Sequence, residues 1–476
     1  MAQSRFARDS LSSLKPETLQ TRNSSTERSE LSAAKPETFF QTLNKMKTKK
    51  IFLSVPMMIL MLLSIVSCKD TSVEYRKYVA NVPQYMTYDE MRKPAKSVAA
   101  FAIESAGKIY IKDNYLFVNE KYKGIHVFDN SNPASPVNVT FIDIPGNVDL
   151  AISGNFLYAD NYTDLVVLDI SNITAPIETA RIKDIFPYTI PETTEVYPIS
   201  EIDQEKGVIV GWQVKEVTEE IKEGESYPYY FFDKGTNNFM RTDAIGLGAP
   251  STTQTVGIGG SMARFIVNAD EFYGLNQSDL QVINISEPSS PVVGTKIELQ
   301  RMVETVFIDS TFLFIGTQTG MLVYDISNRK NPVYKSEYNH FQSCDPVVVQ
   351  DNIAYVTLRA GNRCGNWQNV LDVIDLQNIA NPVLLKSYPM TEPYGLGIDN
   401  KTLFVCDGAA GLKIFDATDP MQVDQHVLKQ YSELKAFDVI PFGNILIMIA
   451  EDGIYQYAYS DLQNIEQLSK IPIGGK

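Results

Sequence analysis

Histidine is nearly absent, at three in 476 residues. Metal centres and acid–base machinery built on several imidazoles therefore have almost nothing to work with. Cysteine numbers four and tryptophan two. Basic residues are outnumbered, 42 Lys plus Arg against 57 Asp plus Glu, for a net charge of −15. That sign argues against broad nucleic-acid or anionic-membrane binding by phosphate neutralisation. The sequence also lacks a P-loop, the spacing of a calcium loop, a Ser-His-Asp arrangement and a Cys-Cys-His zinc pattern. What remains is an ordinary globular composition, 44% hydrophobic and 21% charged, rather than a disordered or collagen-like one.

Long apolar runs are missing too, with one exception. Ile51 to Ser67 is apolar, follows Met46-Lys47-Thr48-Lys49-Lys50 and ends at Cys68. This is the basic start, apolar centre and small-residue exit of a signal peptide over 46–67. It contains Pro56 and is short for a membrane-spanning helix, which needs roughly 20 residues. The stretch Ile65-Val66-Ser67-Cys68 resembles the lipobox of bacterial lipoproteins, and the resemblance implies that Cys68 becomes the lipid-bearing first residue. The plainer alternative is an ordinary signal peptide with a chance cysteine. Residues 1–45 are polar, and Leu14-Lys15-Pro16-Glu17-Thr18 is echoed by Ala34-Lys35-Pro36-Glu37-Thr38. Either translation starts at Met46, or this leader is a disordered extension. Removing 1–67 takes away 10 Lys or Arg and 5 Asp or Glu, leaving 32 basic and 52 acidic side chains and a net charge of −20. Residues 68–96 read as a tether, and Lys69-Asp70 resembles the charged tags of lipoproteins sent to the surface of some Gram-negative cells.

Beyond the tether the chain repeats. Gly124–Asp129, Asp164–Asp169, Asp279–Asn284, Gly320–Asp325, Val370–Asp375 and Gly411–Asp416 share one pattern, with a weaker copy at Gly453–Ala458. Their ends are spaced by 40, 115, 41, 50, 41 and 42 residues. The long gap suggests a hidden unit, and Tyr229-Tyr230-Phe231-Phe232-Asp233 supplies one, raising the count to eight. Each unit also has two β-rich runs flanking an Asp-Asn or Gly-Asn turn, as in 109–118, 149–158 and 347–356, a strong hairpin signal. With a further run such as 137–142 or 383–388, every unit is a four-stranded meander. The fold expected is therefore all-β: a single β-propeller over 97–474 with eight four-stranded blades, or alternatively seven blades plus an irregular unit. Ring closure is open, because Ser97–Ala106 and Ile465–Ile473 both read as fourth strands.

The repeats resemble the LVIVD-repeat family of exported bacterial propellers, named for a third strand that reads Leu165-Val166-Val167-Leu168-Asp169 and Leu322-Val323-Tyr324-Asp325 here. The likeness implies the propeller fold and export, and no reaction. The Asp ending each repeat is read structurally, as a short acceptor for backbone donors in the next turn.

In such a meander the loops before the first strand and between the second and third share one face, where function in repeat proteins collects. In the long gap, Val208–Val217 and Tyr227–Phe232, joined by Thr218–Ser226, predict a hairpin near 208–233 projecting from that face. It would carry Trp212, Tyr227 and Tyr229, which with Arg264 and Tyr394 form a candidate binding face, or would pack over neighbouring blades. Cys344 and Cys364 lie in loops of the same face, and an oxidising exported setting favours a disulfide between them, over free thiols or a soft-metal site. Cys406 reads as a buried apolar residue. Aligned first strands place Asp149, Glu304, Asp345 and Asp438 near one mouth of the channel. Such carboxylates could hold a calcium ion, or simply line a solvated polar channel. Gly257–Gly260 reads as a flexible entry turn.

The function expected is a lipid-anchored binding or scaffold protein of the Gram-negative outer membrane, with exposure at the cell surface suggested by the Lys69-Asp70 tag. Its partner is an envelope protein or glycan, and no nucleic acid is expected. The alternative is a hydrolase or lyase using the channel carboxylates, with or without calcium. The anchor is tested by Cys68→Ala: the variant is expected in the soluble fraction, and its retention with membranes would contradict lipidation.

Overall fold

The computed structural model describes residues 74–193, 195–221, 246–247, 258–261, 263–339, 346–360 and 368–474, all within one compact unit covering 73–476. Seven four-stranded antiparallel meanders follow one another. Their first strands are Ala106–Lys112, Leu150–Ser153, Phe265–Asn268, Val303–Asp309, Val347–Gln350, Leu396–Asp399 and Ala436–Phe442. The repeated segments form the third strand of each, from Gly124–Asp129 in blade 1 to Gly453–Ala458 in blade 7. First strands are buried and contact one another, whereas fourth strands such as Val292–Glu298 are largely exposed, so the blades radiate from a centre. Among the described residues no helix is long and apolar enough to cross a membrane.

The local chemistry explains the meander. The first turns use left-handed backbone, with Asp113 at φ 52°, Asp351 at 53° and Asn352 at 61°, as tight hairpins require. Five of the seven third strands end as the repeat predicted. Asp129 accepts from Ser131 N–H at 2.9 Å, Asp169 from Ser171 at 2.8 Å, Asp325 from Ser327 at 2.8 Å, Asp375 from Gln377 at 2.8 Å and Asp416 from Thr418 at 2.9 Å. These Asx turns start the connection to the fourth strand. At its other end the third strand of blade 4 begins with Gly320 at φ 151°, where a Cβ would lie 2.1 Å from the Tyr338 carbonyl. Every third-to-fourth pairing carries a register shift, the bulge that blunts an exposed sheet edge.

Packing between blades supplies the core. One apolar cluster joins blades 1, 2 and 3, a second blades 3 and 4, a third blades 4, 5 and 6, a fourth blades 6 and 7, and the last blades 7 and 1. Glu466–Pro472 is blade 7's own fourth strand, so no strand is exchanged to close the ring. Closure rests on the last cluster, on reciprocal amide bonds between Asn130 and Gln456 at 2.9 and 2.7 Å, and on a backbone bridge between Ile103 and Ile473. Of the expected closing segment 97–106, Lys96–Val98 pairs on the outer edge of blade 1, whereas Ile103 bridges Ile473 beside blade 7 in parallel and accepts from Gly474 N–H at 2.9 Å.

The eight-blade expectation is corrected to seven. Tyr229–Asp233, taken as a repeat, lies outside the described residues. The chain around it is committed elsewhere. Val208–Ile221 pairs antiparallel with Glu74–Met86 in a two-stranded ribbon, so the predicted hairpin takes its partner from the expected tether. Pairing Arg76 with Glu219 at 2.7 Å and inserting Asn81 against Pro198 favour that partner. The expected return strand with Tyr227 and Tyr229 lies outside the described residues.

The 258–260 stretch is not a free turn. Ile258–Ser261 pairs with Gly246–Leu247 and, through Ile258 and Gly259, with Ile111 and Tyr110 of blade 1's first strand. It also contacts first strands of blades 2, 4, 6 and 7, so it runs in the central channel. Gly259 and Gly260 have no side chain to keep the backbones apart.

Ser327 and the Lys335 ammonium, 3.0 Å away, hold Asp325 down at about 2. A lowered folded-state pKa contributes stability above the unfolded value near 4, lost as pH falls toward 2. Asp325→Ala is therefore expected to cost about 1 kcal/mol near neutrality, with the difference from wild type shrinking steadily in denaturation curves as pH falls from about 4 through about 2. A pH-independent difference would contradict this origin.

Candidate functional site

The face carrying the loops before the first strands and between second and third strands holds a pocket of about 130 Å³. It sits where blades 1, 2 and 3 meet. Tyr122, from the second turn of blade 1, and Tyr162, from the same turn of blade 2, both line it. Both have left-handed backbone, φ 62° and 55°, a conformation costly for bulky side chains. The turns are held from outside: Tyr122 N–H donates to Asn147 O at 2.9 Å, and Gly146 N–H to Tyr122 O at 2.8 Å. The Tyr162 ring lies over Gly146, whose missing Cβ would fall 2.4 Å from it. Burial, with Tyr122 nearby, pushes the Tyr162 phenol up to about 12.

The roof comes from the chain between blades 2 and 3. Phe186 N–H donates to Thr163 O at 2.9 Å and its ring stacks on Phe265 with centroids 5.1 Å apart. Ile190, Ile209 and Val210 complete the apolar lining. Trp212 positions this roof: half-buried, its indole N–H donates to Pro191 O at 2.8 Å.

The floor is charged. Buried Asp149 accepts from Lys108 Nζ at 2.5 Å, from Arg264 N–H at 2.7 Å and from Leu150 N–H at 2.7 Å. Burial pulls the pKa of Lys108 down against the attraction of Asp149. Arg264 donates to Leu275 O at 2.9 Å; burial lowers its pKa while Asp149, Asp160 and Glu304 oppose that shift. Asp160 lines the pocket and accepts three donors on one oxygen: Asn147 Nδ2 at 2.8 Å, Val148 N–H at 2.8 Å and Asp149 N–H at 2.9 Å. Burial still outweighs these bonds and pushes its carboxyl up to about 6.

Of the residues singled out from sequence, Asp149, Arg264 and Glu304 are thus brought together, with Arg264 in the pocket wall. Asp438 instead faces the channel strand: Ser261 Oγ lies 3.5 Å from its Oδ1 and accepts from Leu396 N–H at 3.0 Å. Burial raises the Asp438 pKa well above the usual carboxylate range. Tyr394 is outside the pocket, with the Arg359 guanidinium 4.0 Å above its ring and its hydroxyl donating to Glu392 at 2.8 Å. Cys406 is fully buried. Cys68, Tyr227, Tyr229, Cys344, Asp345 and Cys364 lie outside the described residues. Among the described residues no three His, Cys, Asp or Glu side chains converge on a metal position. The sequence reading passed over Lys108, Tyr122, Asp160, Tyr162 and Asn276. The sign available was an aromatic residue in each of two adjacent turns on the face already chosen.

The LVIVD repeat model matches residues 104–143, 146–184, 274–296 and 300–340. These stretches fall on blades 1 to 4, so the chain carries LVIVD repeats in a β-propeller. No curated protein matches in sequence. Similar solved structures include the periplasmic gluconolactonase PpgL of Pseudomonas aeruginosa, at 10% identity and TM-score 0.47 over 80% of this chain and 97% of that one. A protein from Lactobacillus plantarum is 12% identical, TM-score 0.48, over 77% and 96% of the two chains. BamB from Moraxella catarrhalis is 9% identical, TM-score 0.40, over 73% and 82%. Nothing of their chemistry is carried over to this chain.

The floor makes a signed prediction. Because Asp160 titrates near 6 when folded and near 4 when unfolded, its ionisation weakens the fold as pH rises through that window. Asp160→Asn keeps an acceptor for the three donors and removes the charge. It is expected to raise Tm at pH 7, by about 2 °C for each kcal/mol relieved, and to leave Tm unchanged at pH 4. An equal effect at both pH values would contradict this.

Proposed function

We propose that this protein is an exported, lipid-anchored propeller of the Gram-negative outer membrane that binds a protein or glycan partner on its pocket-bearing face. The signal segment and Cys68 support the address. The observation carrying the binding role is the pocket between blades 1, 2 and 3, where Tyr122 and Tyr162 are held in left-handed turns beside Arg264 and Asp160. Strained backbone of this kind concentrates at ligand sites, where surrounding structure over-determines it. Aromatic residues beside a buried arginine are also the common anchors of protein interfaces.

A second reading, a hydrolase or lyase, is favoured by one feature: Asp160, titrating near 6, can give and take a proton close to neutrality. Its acidic neighbour Asp149 is already engaged by Lys108, Arg264 and Leu150, which favours binding over chemistry.

Cross-linking and pull-down from native membranes test the binding role. Tyr162→Gly suits the left-handed turn while deleting the ring. Wild type is expected to recover a partner that this variant loses; equal recovery by both, with no effect of deleting Thr218–Ser226, would overturn the assignment of the face.

A further inference from the structure

Asp160, Tyr162 and Thr189 all line the pocket and are only partly buried. Asp160 gathers its three side-chain bonds on Oδ1, and its Oδ2 has no partner among the described residues. The Tyr162 and Thr189 hydroxyls have none there either. None of these three oxygens is closed off from solvent, so each is hydrated while the pocket is open. Any occupant that displaces that water must replace its hydrogen bonds or lose affinity. One of the three is an acceptor only, and the other two both donate and accept.

The rest of the lining narrows the choice. Phe186, Phe265, Ile209 and Leu275 supply apolar walls. The volume, about 130 Å³, is close to the roughly 150 Å³ of an engineered cavity that takes up benzene, so the pocket admits one six-membered ring. An aromatic side chain of that size has at most one polar end and would leave at least two of the three oxygens stripped of water. A cationic occupant would share the wall with the Arg264 guanidinium, and an anionic one with Asp160 and Glu192, each a like charge. An uncharged ring carrying several hydroxyls meets neither obstacle. Its C–H faces suit the apolar walls, and its rim offers donors and acceptors together.

Building on the binding role above, we propose that the pocket receives one uncharged pyranose ring of a glycan. A ring hydroxyl donates to Asp160 Oδ2, others bond the Tyr162 and Thr189 hydroxyls, and the C–H faces lie against the aromatic walls.

Ligand-observed NMR titration of the folded chain tests this with the methyl glycosides of glucose, galactose, mannose and N-acetylglucosamine, beside N-acetyl-tyrosinamide and N-acetyl-lysinamide. At least one glycoside is expected to bind saturably, and the two amino-acid probes at least tenfold more weakly. Asp160→Asn leaves an oxygen for the three donors and replaces the free acceptor with an amide nitrogen. It is expected to weaken that glycoside roughly tenfold or more, because a bond to a charged acceptor is lost. Thr189→Val, which removes one hydroxyl at nearly constant volume, is expected to weaken it about threefold or more. Melting curves of both variants show that they are folded under the titration conditions. A glycoside that binds both variants as tightly as wild type overturns the proposal. Binding of the tyrosine or lysine probe without any glycoside also overturns it, makes the occupant a polypeptide and leaves the partner-binding face standing. Failure of every probe overturns it too; if Tyr162→Gly then still captures the same membrane partner as wild type, the face is wrong as well.

Discussion

A four-stranded meander with two apolar faces cannot stand alone in water, and every other feature of this protein follows from how that constraint is met. Each blade covers its neighbours, and apolar clusters run from blade to blade until the last joins blades 7 and 1. Closure removes exposed faces, and the bulged fourth strands blunt the edges that remain. Because Ile109 and Ile111 of blade 1 share a cluster with Ile440 and Ile447 of blade 7, the two ends of the ring are joined by side-chain packing. Asn130 and Gln456 then fix the register of that joint with a pair of buried-side amide bonds.

Against so regular a ring, the chain between blades 2 and 3 stands out. It leaves the perimeter after Ile182, contributes the roof at Phe186 and Ile190, forms a ribbon with Glu74–Met86, and sends Ile258–Ser261 down the channel before blade 3 begins. The same excursion thus fills the centre and encloses a pocket at the rim. The charged floor is suited to this: Lys108 is ion-paired with Asp149, and the carboxylates of Asp149, Asp160 and Glu304 act on the buried Arg264 guanidinium, and a buried charge network is tolerable only when its members are paired. The turns of Tyr122 and Tyr162, left-handed at bulky side chains, lie where that excursion meets the ring.

Most of the ring was legible in the sequence, because a blade is a local object. Third strands, first-to-second turns and the Asx role of Asp129, Asp169 and Asp325 all follow from residues within about 40 positions of one another. The count went wrong where locality fails. Tyr229–Asp233 resembles a third strand, but Val208–Ile221 pairs with a segment more than 120 residues earlier, a partnership no short window reveals. The candidate site was half legible for the same reason. Asp149 and Arg264 occupy equivalent places at the starts of first strands, so alignment of repeats found them. Tyr122, Tyr162 and Asn276 sit in turns, where polar and aromatic residues look unremarkable until adjacent blades and the roof bring them around one cavity.

The most direct test of a site built by this excursion is residue-resolved hydrogen exchange on the full chain, alone and in solubilised native envelope. New protection at Tyr122–Gly124, Tyr162–Asp164, Phe186–Glu192 and Arg264 is the expected result. Protection confined to the fourth strands, or to the Asx turns on the opposite face, would contradict it.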